Sequence, residues 1–169
     1  MAIYLYGISS VKYGTAATGA GNFPSGTSLT TAPGTVKGSV TIEESEGSFT
    51  EFNIDQQFSP VRRVKTEEGK MSAVFQFYDM TFATIAAFKG GTGNVSGYTP
   101  ATGYTSVDLA LELALDSGEK LQMYNANCAS RLVGGGGRDK MFALEVNAVP
   151  QLTTDSSATW RIYKYGPPM

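Results

Sequence analysis

The sequence predicts a mainly β fold: a two-sheet β sandwich or barrel with one short flanking α-helix. Three observations carry this. Apolar and polar residues alternate with a period of two in several separate stretches. The 20 glycines, with plentiful Ser and Thr, supply turns at short intervals. Only one segment, near residues 80–89, reads as a helix.

The elements follow in order. Ile3 to Ile8 is rich in β-branched and aromatic residues and reads as a strand. Gly14 to Gly34 carries no charge and little apolar volume, so it is expected not to order by itself. Two readings stand for it: a loose surface loop, or an arm that orders against a neighbouring subunit. Val36 to Glu44 alternates as a strand with Val36, Gly38, Val40 and Ile42 on one face. After a turn around Gly47, Phe49 to Asp55 returns as a second strand, and Pro60 breaks the chain. Val61 to Thr66 and Met71 to Tyr78 form the next expected hairpin, with Glu67, Glu68 and Gly69 at its tip. Met71, Ala73, Phe75 and Phe77 share its apolar face.

Asp79 is the expected N-cap of a helix over Met80 to Lys89, closed by Gly90 and Gly91. So apolar a helix must lie against a sheet. Thr92 to Thr105 reads as a loop. Val107, Leu109, Leu111, Leu113 and Leu115 then alternate with polar or small residues, and Leu121 to Cys128 is the returning partner after Ser117-Gly118. Arg131 to Val133 leads into Gly134 to Gly137, Lys140 to Val149 is a strand stopped by Pro150, and Ala158 to Tyr165 is the last. The chain contains eight or nine strands in this reading. At 169 residues it is sized for one domain, 1–169, with a core that needs no disulfide staples.

Composition narrows the function classes. Charged residues make up 17% of the chain, below the roughly 25% of an average globular protein, and net charge is -2. That leaves no basic excess for gripping duplex DNA. The lone Cys128 cannot form a disulfide within the chain, which fits a reducing compartment. The opening MAIYLYGISS lacks the pattern of a signal peptide, and no stretch is apolar enough to span a bilayer, so folding in a cytoplasm is expected.

Candidate chemistry is sparse. The chain has no histidine, which removes the commonest general base and metal ligand. Cys128 therefore has no activating partner and reads as a small core residue. Glu43, Glu44, Glu46, Glu51 and Asp55 gather along the acidic strands, but their spacing matches neither a glycosidase pair nor a calcium loop. They read as a solvated face, one that would line a channel in an oligomer. Arg62, Arg63 and Lys65 form the one basic cluster, opposite in sign to the strand before it. Such a dipolar surface suits head-to-tail stacking. Gly134 to Gly137 followed by Arg138 is not a phosphate-binding loop, because no helix follows it. Asn94-Val95-Ser96 spells a glycosylation acceptor and nothing more.

The segment from Gly38 to Gly91, about a third of the chain, resembles the major tail tube proteins of long-tailed phages, those of Bacteroidetes phages in particular. The resemblance rests on the Val36–Ile42 strand, the acidic hairpin, the small-to-aromatic strand ending at Asp79, and the apolar helix ending in Gly90-Gly91. It implies a β sandwich with one flanking helix, hexameric rings that stack into a tube, and a lumen through which DNA slides unbound. Other tail proteins, such as a tape measure and a tail terminator, are its implied partners. It implies no cofactor, no metal and no catalysis. The acidic residues Glu43, Glu44, Glu46, Glu51 and Asp55 become lumen or stacking candidates, and Arg62, Arg63 and Lys65 candidates for the opposite stacking face. The virion tail is the implied location. A rival reading is a carbohydrate-binding or host-attachment sandwich, for which Tyr98, Tyr104 and Tyr124 are the aromatics on offer.

Overall fold

A computed structural model describes residues 7–24, 26–36, 38–52, 62–103, 106–134 and 141–164. The protein is mainly β, with one short helix, a large antiparallel sheet and two small ones. The strands are β1 (Ser10–Thr15), β2 (Thr30–Thr31), β3 (Thr41–Glu44), β4 (Phe49–Phe52), β5 (Arg62–Lys65), β6 (Met71–Phe77), β7 (Thr92–Asn94), β8 (Gly97–Thr99), β9 (Val107–Ala114), β10 (Glu119–Val133), β11 (Ala143–Pro150) and β12 (Trp160–Lys164), with α1 at Phe82–Lys89. The main sheet runs β2-β1-β9-β10-β11-β6-β3, and β12 also pairs with β10.

Strand β10 joins two halves. Its residues 119–123 pair with β12 and residues 126–133 with β11, while β9 runs along the other side against 120–123 and 126–128. Between Met123 and Ala126 one extra residue interrupts the β9 register, a β-bulge that bends the strand. The two halves fold over one core. Val11, Leu111, Leu113, Leu121 and Met123 come from the first half, and Ala73, Phe75, Phe77, Leu144 and Val146 from the second. Phe88 of α1 closes this core, with its ring against Tyr13, Phe77 and Phe75 at centroid distances of 4.8, 5.5 and 6.2 Å. The helix is tied to β10 by the Ser130 hydroxyl, which donates to the Phe88 carbonyl at 3.0 Å.

Several sequence expectations are corrected. Ile8 lies outside any strand, and residues 3–6 are outside the described part; the first strand among the described residues is Ser10–Thr15. The helix starts at Phe82, not Met80. Thr81 rather than Asp79 caps it, accepting the Thr84 N–H at 3.1 Å, because the chain still bends away from β6 at Tyr78–Asp79. The Val36–Glu44 strand is broken at Gly38, whose φ of 76° turns the chain, so only Thr41–Glu44 is regular. The Thr92–Thr105 loop contains the hairpin β7–β8, turned by the Asn94 side chain accepting the N–H groups of Ser96 and Gly97. Leu121–Cys128 and Arg131–Val133 are one strand, and the strand expected from Lys140 begins at Ala143, leaving Met141 and Phe142 outside it and exposed. Pro150 ends β11 as its last residue.

The pairing of residues 41–77 is the largest correction. Neither expected hairpin exists. β3 pairs with β6 and β4 pairs with β5, so one long ribbon runs out along 41–52 and back along 62–77. The expected EEGK tip is instead a break in the returning strand.

The core assigns Phe88 more weight than any capping residue. Phe88→Ala is expected to lower stability by about 3–5 kcal/mol through the cavity it leaves, and Thr81→Ala by about 1 kcal/mol. Urea unfolding followed by circular dichroism measures both.

Candidate functional site

The acidic and basic residues sit on the long ribbon. Ser45 and Lys70 hold its inner part together, the Ser45 N–H donating to the Lys70 carbonyl at 2.9 Å and the Lys70 N–H to Ser45 Oγ at 2.9 Å. Beyond them the returning strand carries an extra residue before the Thr66 N–H meets the Ser48 carbonyl at 2.8 Å. Gly47 and Gly69 face each other across this break. A side chain on Gly69 would stand 2.0 Å from the Ser45 carbonyl oxygen, and one on Gly47 2.3 Å from that of Glu67. Both positions therefore need glycine for the strands to approach.

Glu43, Glu44 and Glu46 flank the break and are exposed. Glu51 stands opposite Arg63, with Arg63 Nε 3.4 Å from Glu51 Oε1 and its guanidinium 4.0 Å above the Phe49 ring. Lys65 pairs with Glu68. Arg62 is exposed opposite Phe52, and Asp55 lies outside the described residues. Thus the two charge clusters share one ribbon, and part of the basic cluster is neutralised within the chain. Such exposed pairs contribute at most about 1 kcal/mol each. All four residues of β4 are exposed, including Phe49 at 42% and Phe52 at 55%.

A second site escaped sequence reading. Residues 16–24 and 26–29, part of the Gly14–Gly34 stretch expected not to order by itself, fold back over the outer face of β1, β9, β10 and β12. The Ala17 N–H donates to the Tyr124 carbonyl, and Phe23 meets the Tyr124 ring edge-on at 5.5 Å. A turn at 153–157 latches the same segment: the Ala20 N–H donates to Ser157 Oγ at 2.8 Å, and the Asp155 N–H to the Thr18 carbonyl. Asp155 organises that turn, accepting from Thr153 Oγ1 and from the N–H and hydroxyl of Ser157, and these bonds hold its carboxyl below the usual range.

Beneath this cover lies a cleft of about 570 Å³ with a polar floor. Glu112, only 5% exposed, accepts from Lys120 Nζ at 2.9 Å, Gln122 Nε2 at 2.7 Å and the Tyr163 hydroxyl at 3.3 Å. Burial by itself would raise the Glu112 carboxyl, but these bonds and the Lys120 charge outweigh it and hold the group below its ordinary value. Arg161 Nε donates to Gln122 Oε1 at 2.8 Å, and its guanidinium lies over Tyr163 and Tyr124. Contributors come from residues 12 to 163, so no local motif announces them.

Elsewhere, a groove of about 740 Å³ opens between the edges of β3 and β12, with Ile42, Met71, Leu121 and Ile162 among its walls. Cys128 is buried, and desolvation, then the Asp108 charge, push its thiol up to about 12. Tyr124 is 2% exposed and so offers no free sugar-stacking face; Tyr98 is half-buried with its hydroxyl donating to the Gly90 carbonyl, and Tyr104 lies outside the described residues. Among the described residues no group of three His, Cys, Asp or Glu side chains is placed to hold a metal ion. Compared with protein-family models and curated proteins, the chain matches none.

Two expectations follow. Glu112 and Asp155 are depressed in the folded state, so their stabilisation is present above the ordinary carboxylate value of about 4 and is lost as pH falls through their lower folded values. Glu112→Gln is expected to flatten the acid limb of a melting-temperature profile measured against pH. Cys128 is expected to react with iodoacetamide at neutral pH only once the protein unfolds, which mass spectrometry across a denaturant series detects.

Proposed function

We propose that this protein is a structural subunit that self-assembles into stacked, hexameric rings forming the tail tube of a long-tailed phage, a conduit for DNA. It would be assembled in the bacterial host cytoplasm and work in the virion. The observation that carries this reading is the outer ribbon β4–β5. It extends from the sheet with all of β4 exposed, two phenylalanines among them. A two-stranded ribbon alone is marginal in water, so it calls for a partner surface. Strand edges on β2, β3 and β12 are also unpaired among the described residues. Open edges pair with other chains unless they are blocked.

The fold class supports the reading, as does the exposed acidic stretch at Glu43, Glu44 and Glu46, which disfavours adhesion of DNA. No specific DNA contact and no enzymatic step belong to it. Negative-stain imaging of concentrated protein tests it, with rings or tubes as the expected result and discrete monomers at every salt as the contrary one. Phe52→Ser is expected to raise the concentration needed for assembly by about tenfold or more, the equivalent of losing one buried phenylalanine contact.

A further inference from the structure

Lys12, Glu112, Gln122 and Arg161 stand side by side across four adjacent strands. Lys12 is opposite Glu112, Glu112 opposite Gln122, and Gln122 opposite Arg161. This row floors the cleft described above, and Lys120 lies beside it. The lining holds three cations, Lys12, Lys120 and Arg161, and one carboxylate, Glu112, leaving an excess of two positive charges. The carboxylate is already engaged by Lys120. The Lys12 side chain has no hydrogen-bonding or ionic partner among the described residues. Phe23, Pro24 and Leu29 wall the cleft with apolar surface, which lowers the local dielectric and strengthens the pull on an anion.

The opposite charge is on the ribbon. Glu43, Glu44 and Glu46 are exposed around the break between β3 and β4, and among the described residues none of them makes an ion pair. The cleft of the same chain contains none of the three. We propose that the cleft receives the Glu43–Glu46 bend of a second copy, with the Glu44 and Glu46 carboxylates meeting Lys12 and Arg161. This rests on the assembly reading and specifies one of its contacts. Two different surfaces meet, so the contact is heterologous and adds copies head to tail, closing into a ring or extending as a stack. Complementary charge of this kind sets register and weakens with salt.

Charge reversal on each side tests the contact. Lys12→Glu alters the cleft without removing a bond of the folded chain, and the Glu44→Lys/Glu46→Lys double variant alters the ribbon. Melting temperatures establish that both remain folded, and sedimentation measures assembly. Each variant alone is expected to need about tenfold more protein to assemble. Their equimolar mixture is expected to recover, because each variant's altered surface matches the other's. A wild type that assembles while Lys12→Glu stays within about twofold of it, or a mixture that fails to recover, overturns the cleft contact and leaves the assembly reading standing.

A wild type that never assembles sinks the assembly reading itself. The contact is then judged by titrating a synthetic peptide of residues 41–52 into the subunit. Binding that Lys12→Glu abolishes supports it, and absence of binding overturns it. Citrate binding as tightly as the peptide makes the cleft a small-anion site and also overturns it.

Discussion

The bend in β10 is the constraint on which the rest of the architecture depends. One extra residue between Met123 and Ala126 lets a single strand serve β12 at one end and β11 at the other. Without that change of direction, the apolar faces of β9 and β6 would point the same way from one flat sheet and could not share a core. Phe88 fills the remaining opening, and its ring contacts reach both halves. The described core is thus a consequence of one irregularity and one aromatic side chain acting together.

Much of the fold was legible because its signals are local. The Val107–Leu115 alternation and the Met71–Phe77 alternation each name a strand and its buried face, since side chains on a strand alternate sides. The helix was legible from its apolar content and from Gly90, though its start was not, because Asp79 and Thr81 are equally plausible caps by residue type and only the backbone path decides between them. Pairing was the part that failed. Turn signals at Gly47 and at Glu67–Gly69 resemble hairpin tips, yet both lie in the middle of one ribbon. A glycine that permits a tight turn equally permits two backbones to press together, and sequence does not separate the two uses.

The charged ribbon was legible as a pair of clusters of opposite sign, because its residues are neighbours in sequence. The cleft was not, for the opposite reason. Lys12, Glu112, Gln122 and Arg161 are adjacent only through strand pairing. Glu112 is one of the polar residues alternating with the Val107–Leu115 leucines, on the face away from the core; what encloses it is residues 20–24 with Leu29, from the stretch that carries no charge and little apolar volume. Small uncharged residues bury little area each, but hydrogen bonds to Ser157 and from Asp155, with the Phe23 ring on Tyr124, are enough to fix their path.

The break at Gly47 and Gly69 has a mechanical meaning. The outer ribbon connects to the rest of the molecule through a few backbone bonds around Ser45, Ser48, Thr66 and Lys70, while no core side chain spans that point in β4. A force applied to β4–β5 reaches the aromatic cluster around Phe88 only through these few backbone bonds and the two strands that continue from them. Attachment and packing are thus separated along a single pair of strands: the outer part hangs on backbone bonds, and the inner part on the core.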